Sequence, residues 1–552
     1  MMRKLLKGLG YLAATILVLL VAACIYIYSV AISKPPVPAD TAILKAQPRQ
    51  LGANSYVLGN NWLRKSESGW WEMYVEGGAF ERGVINGKLS KEVFAYQEQA
   101  FFDQICKLVP SAFYRQFLKY LIGFYNRDLE KNLTPEQRLE IYGVSLSANP
   151  KFDEIGPAYQ RLMNYHAAHD IGHALQNLAL VGCSAFATWN ERSEDGGLLI
   201  GRNFDFYVGD RFADNKIVGF FAPDSGHRFM MVTWGGMTGV VSGMNMQGLT
   251  VSLNAAKSDL PSGSATPISL LAREILQYAG SIEEAVAIAR KRHTFVSESL
   301  LIGSAHDNKA VVIEKTPDEV QVYDPNSNQL ICTNHYQSAK LGNTELNKNH
   351  MEESASVYRQ QRIAELLGQT SKLNPQRAAA ILRDQGGLGN KFIGYGNEKA
   401  VNQLICHHSI IFEPNKRLVW LAAAPWQLGK YVAYDLNKIF ALKGLGTDHE
   451  LVENSTIAAD TFLQAPAYRN FVAFRTLAAK AQAGEEVSPQ QFIQLNPEYY
   501  HAYVLAGNAF YKQKNYAEAR QAYAQGLTKE IASKGEEQYM RKQIAACDKQ
   551  LR

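Results

Sequence analysis

A cysteine lies at the position where the sequence pattern changes from helical to strand-like. Cys183 follows Gly182, between a stretch with helical periodicity and one with the short, alternating apolar runs typical of β-strands. A lone cysteine usually behaves as a small buried apolar residue. Here, however, Arg202 and Asp205 follow within one strand-turn-strand length. An arginine lowers the pKa of a neighbouring thiol, and a carboxylate orients an amine or an arginine. Together, these residue types favour nucleophilic chemistry at Cys183.

Further motifs accompany this cysteine in a fixed order. They are Gly78-Ala-Phe-Glu-Arg-Gly83 with Asn86-Gly87, Gly182-Cys-Ser-Ala-Phe186, Gly201-Arg-Asn-Phe-Asp-Phe206, Asn245-Met-Gln-Gly-Leu249 with Leu253-Asn254, Thr333-Asn334-His335 and His408-Ser-Ile-Ile-Phe-Glu-Pro414. In this order they resemble the penicillin acyltransferase-like branch of the N-terminal-nucleophile hydrolases, which is related to the choloylglycine hydrolases. The resemblance extends from about Glu76 to Asp435.

The resemblance implies a fold and a reaction. The expected fold is α+β with a four-layer αββα arrangement. The expected reaction is hydrolysis or transfer of an amide-linked acyl group through an acyl-Cys183 intermediate. Cleavage of the Gly182-Cys183 bond by the chain itself would free Cys183 as the nucleophile, with its new α-amino group as the base. Such an amine titrates near ~7.7–8.0, close to working pH. Asp205 would hold that amine, and Arg202 would favour the thiolate.

The same resemblance assigns the groups that stabilise negative charge. Asn334 would donate its side-chain amide to the developing oxyanion, and Asn254 would complete the oxyanion hole through its backbone or its side chain. Arg359, in Ser356-Val-Tyr-Arg359, is a candidate for the family's late arginine, although its spacing does not fix the match. The chemistry needs no metal or organic cofactor, and the expected partner is a small N-acylated substrate.

A histidine cluster precedes the cysteine. His166, His169 and His173, with Asp170, fall at helical spacing and share one face. Two histidines four residues apart can bind zinc, but the glutamate of the H-E-x-x-H motif is absent. Local packing and hydrogen bonding are the more frequent roles of such residues, and we therefore expect no metal site.

The N-terminus predicts a membrane segment. Arg3, Lys4 and Lys7 precede Gly8–Ser33, a run of 26 residues without a charge. This run is long enough to span a bilayer, and the basic flank predicts that the rest of the chain lies outside the cytoplasm. A cleaved signal peptide is one alternative. A lipoprotein attached through Cys24, in Val21-Ala-Ala-Cys24, is another, although the apolar run continues beyond it.

A chain of 552 residues is too long for one hydrophobic core. We expect a membrane anchor or signal segment at residues 1–33, a linker at 34–69, a mainly helical pro-segment at 70–182, a hydrolase core at 183–446 and a helical extension at 447–552. Within the core, the patterns predict the following strands and helices: strands at 198–200, 229–232, 249–253, 300–302, 310–313, 320–323, 409–412 and 418–422, and helices at 267–279 and 282–292.

The C-terminal extension contains one segment with the spacing of a tetratricopeptide repeat. Its small and large residues are Tyr503, Gly507, Phe510, Tyr516, Ala519, Tyr523 and Gly526. A single repeat needs stacked neighbours to be stable, so a plain helical hairpin that caps the core is an equal alternative. A repeat would offer a surface for a protein partner.

Two classes of function fit the chain. The first is a self-processing cysteine amidohydrolase or acyltransferase. The second is a membrane-tethered interaction protein that uses the C-terminal repeat and has an inactive hydrolase-like domain. The joint presence of Cys183, Arg202, Asp205 and Asn334 favours the enzyme. The net charge of only +5, without a dense basic block, argues against a nucleic-acid partner.

Overall fold

Strands with alternating apolar residues build two sheets in this computed structural model, which describes residues 2–175, 182–207, 209–257, 263–445 and 451–552. The strands are β1 (Arg49–Gly52), β2 (Ser55–Leu58), β3 (Asn61–Lys65), β4 (Trp71–Gly77), β5 (Ser184–Thr188), β6 (Leu199–Phe204), β7 (Lys216–Pro223), β8 (Phe229–Trp234), β9 (Ser242–Asn245), β10 (Leu249–Ala255), β11 (Glu298–Ser304), β12 (Lys309–Lys315), β13 (Val320–Tyr323), β14 (Gln329–Cys332), β15 (His408–Glu413), β16 (Leu418–Ala422), β17 (Tyr431–Asp435) and β18 (Val452–Ile457).

The helices lie in three groups along the chain. Those before Cys183 are α1 (Met2–Val30), α2 (Ala79–Leu89), α3 (Lys91–Leu108), α4 (Ala112–Tyr125), α5 (Pro135–Ser145) and α6 (Ala158–Leu175). Those among the later strands are α7 (Ile268–Tyr278), α8 (Ile282–Lys291), α9 (Glu345–Glu353), α10 (Ser356–Gly368), α11 (Pro375–Leu382) and α12 (Leu436–Ala441). The C-terminal group is α13 (Pro466–Gln482), α14 (Pro489–Leu495), α15 (Tyr500–Lys512), α16 (Tyr516–Gly526) and α17 (Lys534–Leu551).

Both sheets combine strands that are distant in sequence. The 11-stranded sheet has the order β1-β2-β3-β4-β7-β8-β9-β10-β11-β12-β13, and the 7-stranded sheet has the order β14-β5-β6-β15-β16-β17-β18. Strand β4 pairs with β7 in parallel from Trp71↔Ile217 to Gly77↔Pro223. Strands before Cys183 therefore extend the sheet formed by strands after it.

Alternate residues of each strand enter different apolar clusters. Phe220 of β7 and Phe412 of β15 share one cluster, so this cluster joins one face of each sheet. Phe221 belongs to a second cluster with residues of α7, whereas Ile411 belongs to a third with residues of α11. Residues of α7 and α11 thus pack in clusters other than the one that joins the two sheets.

The predicted core strands and helices are present, with ends that differ by a few residues. Thr134 caps the N-terminus of helix α5, and its side chain forms a reciprocal capping box with that of Gln137. Ser281 likewise accepts a hydrogen bond from the backbone of Glu284.

The N-terminal part of the domain differs from the prediction. Residues 49–65, expected to be linker, form β1–β3, and Trp71–Gly77, expected to be helical, form β4. The aromatic and β-branched residues of this stretch suit a half-buried strand better than a helix. Beyond the core boundary expected at residue 446, β18 pairs with β17 and continues the smaller sheet.

Helix α1 contains the predicted membrane segment. Leu6–Val30 is long and apolar enough to cross a bilayer and is not buried against the rest of the protein, although a signal sequence would have the same features.

At the other end of the chain, Gly507 of α15 lies against the ring of Tyr523 in α16, where a Cβ atom would come within 2.6 Å of it. These helices form a hairpin; whether they are a tetratricopeptide repeat stays a prediction.

Candidate active site

Cys183 lies directly before β5, the second strand of the seven-stranded sheet. Antiparallel pairing of Ala185 with Arg202, and of Ser184 with Asn203, brings the start of β5 beside the end of β6. The backbone N–H of Gly182 donates to the Asp205 carbonyl over 3.0 Å and extends this pairing. The hairpin therefore brings the Gly182-Cys183 bond, Arg202 and Asp205 together, as the sequence predicted.

Arg202 connects the cysteine to the larger sheet. Its Nη2 lies 3.9 Å from the Cys183 sulfur and donates to the carbonyl of Leu253 in β10. Its Nη1 donates to Ser242 Oγ over 2.8 Å, and its guanidinium lies 4.3 Å from the centre of the Phe204 ring. These contacts fix a fully buried positive charge next to the thiol.

The thiol is nevertheless protonated at neutral pH. Burial raises the pKa of Cys183 to about 11, although the charge of Arg202 acts in the opposite direction. The sequence led us to expect that Arg202 would favour the thiolate. Its charge acts in that direction, but desolvation is the larger effect. A nearby base must therefore take the thiol proton before attack.

Asp205 is a buried carboxyl group beside the scissile bond. Burial raises its pKa to about 7, while the charge of Arg359 and the nearby Cys406 thiol act to lower it. Oδ2 accepts a hydrogen bond from Gln403 over 3.3 Å. Oδ1 meets no N–H or O–H donor among the residues that the structure describes. One carboxylate oxygen is therefore available for a new donor.

Gln403 was missed by the sequence analysis. Its Nε2 donates over 2.7 Å to the carbonyl oxygen of Gly182, which is the carbonyl of the Gly182-Cys183 bond. A Cβ atom at position 182 would lie 2.3 Å from that same nitrogen, so a larger residue there would displace the Gln403 side chain. Gln403 lies 221 residues from Gly182 in an irregular segment, and no local motif pointed to it.

Asn334 and Asn254 lie in a second part of the site. Asn334 donates from Nδ2 to the Ala255 carbonyl over 2.9 Å and accepts at Oδ1 from Arg359 over 2.6 Å. Asn254 donates from Nδ2 to the carbonyls of Cys332 and Thr333, over 3.0 and 3.2 Å. Both N–H groups of the Asn254 side-chain amide are thereby engaged. The side chain is therefore less accessible to an oxyanion than the backbone, which was the other donor predicted at Asn254. Asn334 keeps one amide hydrogen for a further acceptor.

Arg359 brings the two parts of the site together. It is buried on α10, and its charge acts on both Asp205 and Cys183. The sequence offered it only as a candidate, because position along the chain did not fix it. The sequence could not predict its hydrogen bond to Asn334, which the structure shows.

Among the residues that the structure describes, no group of three His, Cys, Asp or Glu side chains could hold a metal ion. His166 uses both ring nitrogens: Nδ1 contacts the Leu162 carbonyl at 2.8 Å, and Nε2 accepts from the Thr238 backbone at 3.0 Å. Burial lowers its pKa to about 4, so it is a neutral structural residue. The side chains of His169, Asp170 and His173 lie outside the described residues.

Comparison with known proteins finds a family match for part of the chain. Residues 189–425 match the family model described as acyl-coenzyme A:6-aminopenicillanic acid acyl-transferase. The resemblance carried by the motifs is confirmed over these residues. The matched region begins six residues after Cys183 and includes Arg202, Asp205, Asn254 and Asn334.

The chain is also partly similar to individual known proteins. The protein dcd1B of Dictyostelium discoideum is 23% identical over 271 residues, which cover 46% of this chain and 51% of that relative. The chain thus spans about half the length of this curated relative. An N-acylethanolamine-hydrolyzing acid amidase ortholog from Caenorhabditis elegans is 19% identical with a TM-score of 0.31, over 42% of this chain and 93% of that one. A mutant of the conjugated bile acid hydrolase from Clostridium perfringens is 14% identical with a TM-score of 0.33, over 49% and 95%.

Proposed function

We propose that this protein is a self-processing cysteine N-terminal-nucleophile amidohydrolase or acyltransferase. The hydrogen bond from Gln403 to the Gly182 carbonyl carries the proposal, because it puts a donor on the oxygen of the bond to be cleaved. Cys183, buried between Arg202 and Asp205, supplies the nucleophile. The family of residues 189–425 supports the class of reaction.

Self-cleavage begins with attack of the Cys183 sulfur on the Gly182 carbonyl carbon. A sulfur–carbon bond forms, the carbon–nitrogen bond breaks, and the thiol proton ends on the Cys183 nitrogen. Water then hydrolyses the thioester, releasing the Gly182 carboxylate and a free Cys183 thiol. Gln403 stabilises the negative charge that develops on the Gly182 oxygen, a contribution typically worth about 3–4 kcal/mol.

Cleavage creates the base for turnover. The new α-amine has an ordinary pKa of about 7.7–8.0, and the unpartnered Oδ1 of Asp205 is available to bind it. The amine takes the Cys183 proton as the sulfur attacks the substrate carbonyl. Asn334 donates to the oxyanion, the amine product leaves with the proton, and the acyl group stays on Cys183. Water or a second amine then accepts the acyl group.

Two features of architecture belong to this proposal. The three apolar clusters support a four-layer αββα order, with helices outside two stacked sheets. Helix α1 supports an uncleaved membrane anchor with the catalytic domain outside the cytoplasm, in preference to a lipoprotein linked through Cys24. The interaction-protein alternative is not favoured, because no catalytic position expected from the motifs has been lost.

A substrate screen tests the proposed reaction. The purified full chain is incubated with a panel of N-acyl amines and N-acyl amino acids, with and without a second amine, and products are followed by mass spectrometry. We expect release or transfer of the acyl group, a transient mass increase on Cys183, and no product with Cys183→Ala. Equal product formation by the Cys183→Ala variant would contradict the assignment of the nucleophile.

A further inference from the structure

Helix α4 exposes an apolar face. Its exposed large apolar side chains, with the exposed fraction of each, are Phe113 (85%), Tyr114 (50%), Phe117 (57%), Leu121 (45%) and Ile122 (41%). The opposite side of the helix is bound to the domain, where Arg115 is buried in an ion pair with Glu154. Scattered exposed apolar residues are ordinary, but a continuous aromatic and aliphatic face on one 14-residue helix indicates a binding surface.

The same helix packs against the end of α1. Tyr120 and Phe124 of α4 contact Tyr28 and Tyr26 of α1, with ring centres 5.6 and 6.2 Å apart. Gly123 allows this approach, because a Cβ atom there would lie 2.3 Å from the carbonyl oxygen at position 31. The apolar face of α4 therefore lies beside the last turns of the candidate membrane span.

We propose that α4 lies in the interfacial layer of the bilayer that α1 crosses. The proposal rests on the proposed membrane anchor. A span of 25 residues is about 37 Å long, which exceeds a hydrocarbon core of about 30 Å, so its final tyrosines reach the interface. The contacts with Tyr26 and Tyr28 hold α4 at that depth, where aromatic side chains are favoured.

Brominated lipids test the position of α4. The full chain carrying Phe117→Trp is reconstituted in vesicles of brominated phosphatidylcholine, and its added fluorescence is compared with that of Phe392→Trp. Phe392 is a control of similar exposure (44%) in the segment that faces the C-terminal helices. We expect quenching at position 117 and little at position 392.

Flotation of the unsubstituted chain with the vesicles tests the anchor separately. A chain that floats but gives equal fluorescence changes at both positions contradicts the placement of α4. A chain that does not float contradicts both the anchor and the placement that rests on it.

A second inference concerns the C-terminal helices and rests on a different set of contacts. Tyr499 and Tyr500 donate their hydroxyls to Oε1 of Glu398, over 3.3 and 3.1 Å. Asn496 exchanges two hydrogen bonds with the backbone of Tyr395. A Cβ atom on Gly394 would lie 2.4 Å from the Tyr499 nitrogen. The segment from Gly394 to Glu398 is therefore packed tightly on the C-terminal helices.

This segment leads directly to the site. The backbone carbonyl of Glu398 accepts from Arg359 Nη1 over 2.9 Å, and Arg359 in turn holds Asn334. Phe471 of α13 packs in one cluster with Leu404, the residue after Gln403. The C-terminal helices thus reach Gln403 through the neighbouring Leu404, and Asn334 through Glu398 and Arg359.

We infer that the C-terminal helices position the active site and that Glu398 is the positioning residue for Arg359 and Asn334. The inference rests on the proposed function. If the tyrosine hydroxyls release Glu398, its backbone carbonyl shifts and Arg359 no longer fixes Asn334. Misplacement by about 1 Å costs up to roughly 100-fold in rate. The oxyanion that Asn334 is proposed to stabilise exists only in the transition state, so the loss falls on kcat.

Substitutions at Glu398 and its partners test the inference in the full chain. We expect Glu398→Ala and the double variant Tyr499→Phe/Tyr500→Phe to lower kcat roughly ten- to 100-fold with little change in KM. Glu398→Gln keeps an oxygen acceptor for the hydroxyls and should recover most of that loss. Tyr523→Phe removes a hydroxyl bonded within the C-terminal helices, to Asn508, and should leave kcat unchanged.

Two results would overturn the inference. One is an unchanged kcat in folded Glu398→Ala. The other is an equal loss in Glu398→Ala and Glu398→Gln, because the retained acceptor would then have no effect. A wild-type chain that turns over no substrate would instead refute the proposed function, and the positioning role with it.

Discussion

Asn334 has a structural and a proposed catalytic role, and the two can be separated. Its side chain joins the Ala255 carbonyl to Arg359, so Asn334→Ala should lower the melting temperature. The oxyanion exists only in the transition state, so the same variant should lose roughly 10²–10³-fold in kcat and change KM less.

Asn203→Ala is the matched control for this variant. Asn203 is a buried asparagine that donates to the carbonyls of Leu382 and Val401. The Asn203→Ala substitution should lower the melting temperature and leave kcat per folded molecule nearly unchanged. Similar kinetics for the two variants, measured on preparations of known folded fraction, would show that Asn334 is only structural.

Asp205 makes stability depend on pH in the uncut chain. An unfolded aspartate loses its proton near pH ~3.9, whereas burial raises the folded pKa to about 7. Between these values the folded state binds the extra proton, so stability falls as pH rises. In a Cys183→Ala background, Asp205→Asn removes this effect. Its melting temperature should rise relative to the parent from pH 4 to pH 7. If the melting temperatures of the two proteins changed in parallel between pH 4 and pH 7, that result would contradict the raised pKa of Asp205.

The residue scale also shows where sequence reasoning stops. Cys183, Arg202 and Asp205 stand close together in the chain, and the strand pairing of β5 with β6 was enough to bring them together. Gln403 lies in an irregular segment and Arg359 on helix α10, and each reaches the site through contacts with residues distant in sequence. No periodicity encodes such contacts, so only the fold could reveal them.

At the scale of elements, the β5–β6 hairpin and the segment carrying Gln403 hold the scissile bond between them. Gly182→Ala would put a Cβ atom 2.3 Å from Gln403 Nε2 and displace it. Gln403→Ala removes the donor altogether and should slow self-cleavage roughly 10²–10³-fold. Both variants should accumulate uncut chain in a time course after synthesis.

Gln427→Ala provides the control at this scale. Gln427 is a fully buried glutamine that donates to the Leu382 carbonyl, away from the Gly182-Cys183 bond. The Gln427→Ala variant should cleave its own Gly182-Cys183 bond at the wild-type rate. Normal cleavage by Gln403→Ala would remove the main support for its proposed role.

The elements themselves were predicted unevenly, for a physical reason. Strands such as β10 and β11 are fully buried apolar runs, and their pattern identifies them. Strands β1–β3 are short, and β1 lies at the edge of the sheet and is exposed along its length. An exposed edge strand lacks the burial pattern, so its sequence resembles a linker.

At the scale of the whole molecule, cleavage would not separate the two products. Strand β4, before the cut, pairs with β7 over seven residue pairs. Glu140 of α5 forms buried ion pairs with Arg82, also before the cut, and with Arg273, after it. We therefore expect the two products to elute together in native size-exclusion chromatography and to separate only in denaturant. Separate elution under native conditions would contradict the continuous sheet.

The mass of the purified chain tests self-processing most directly. Denaturing mass spectrometry of active wild-type protein should show two products that meet between Gly182 and Cys183, the larger one beginning with Cys183. Cys183→Ala should give one uncut mass from the same expression. An active wild-type preparation that consists only of uncut chain, or a Cys183→Ala variant cut at the same bond, would contradict self-processing by Cys183.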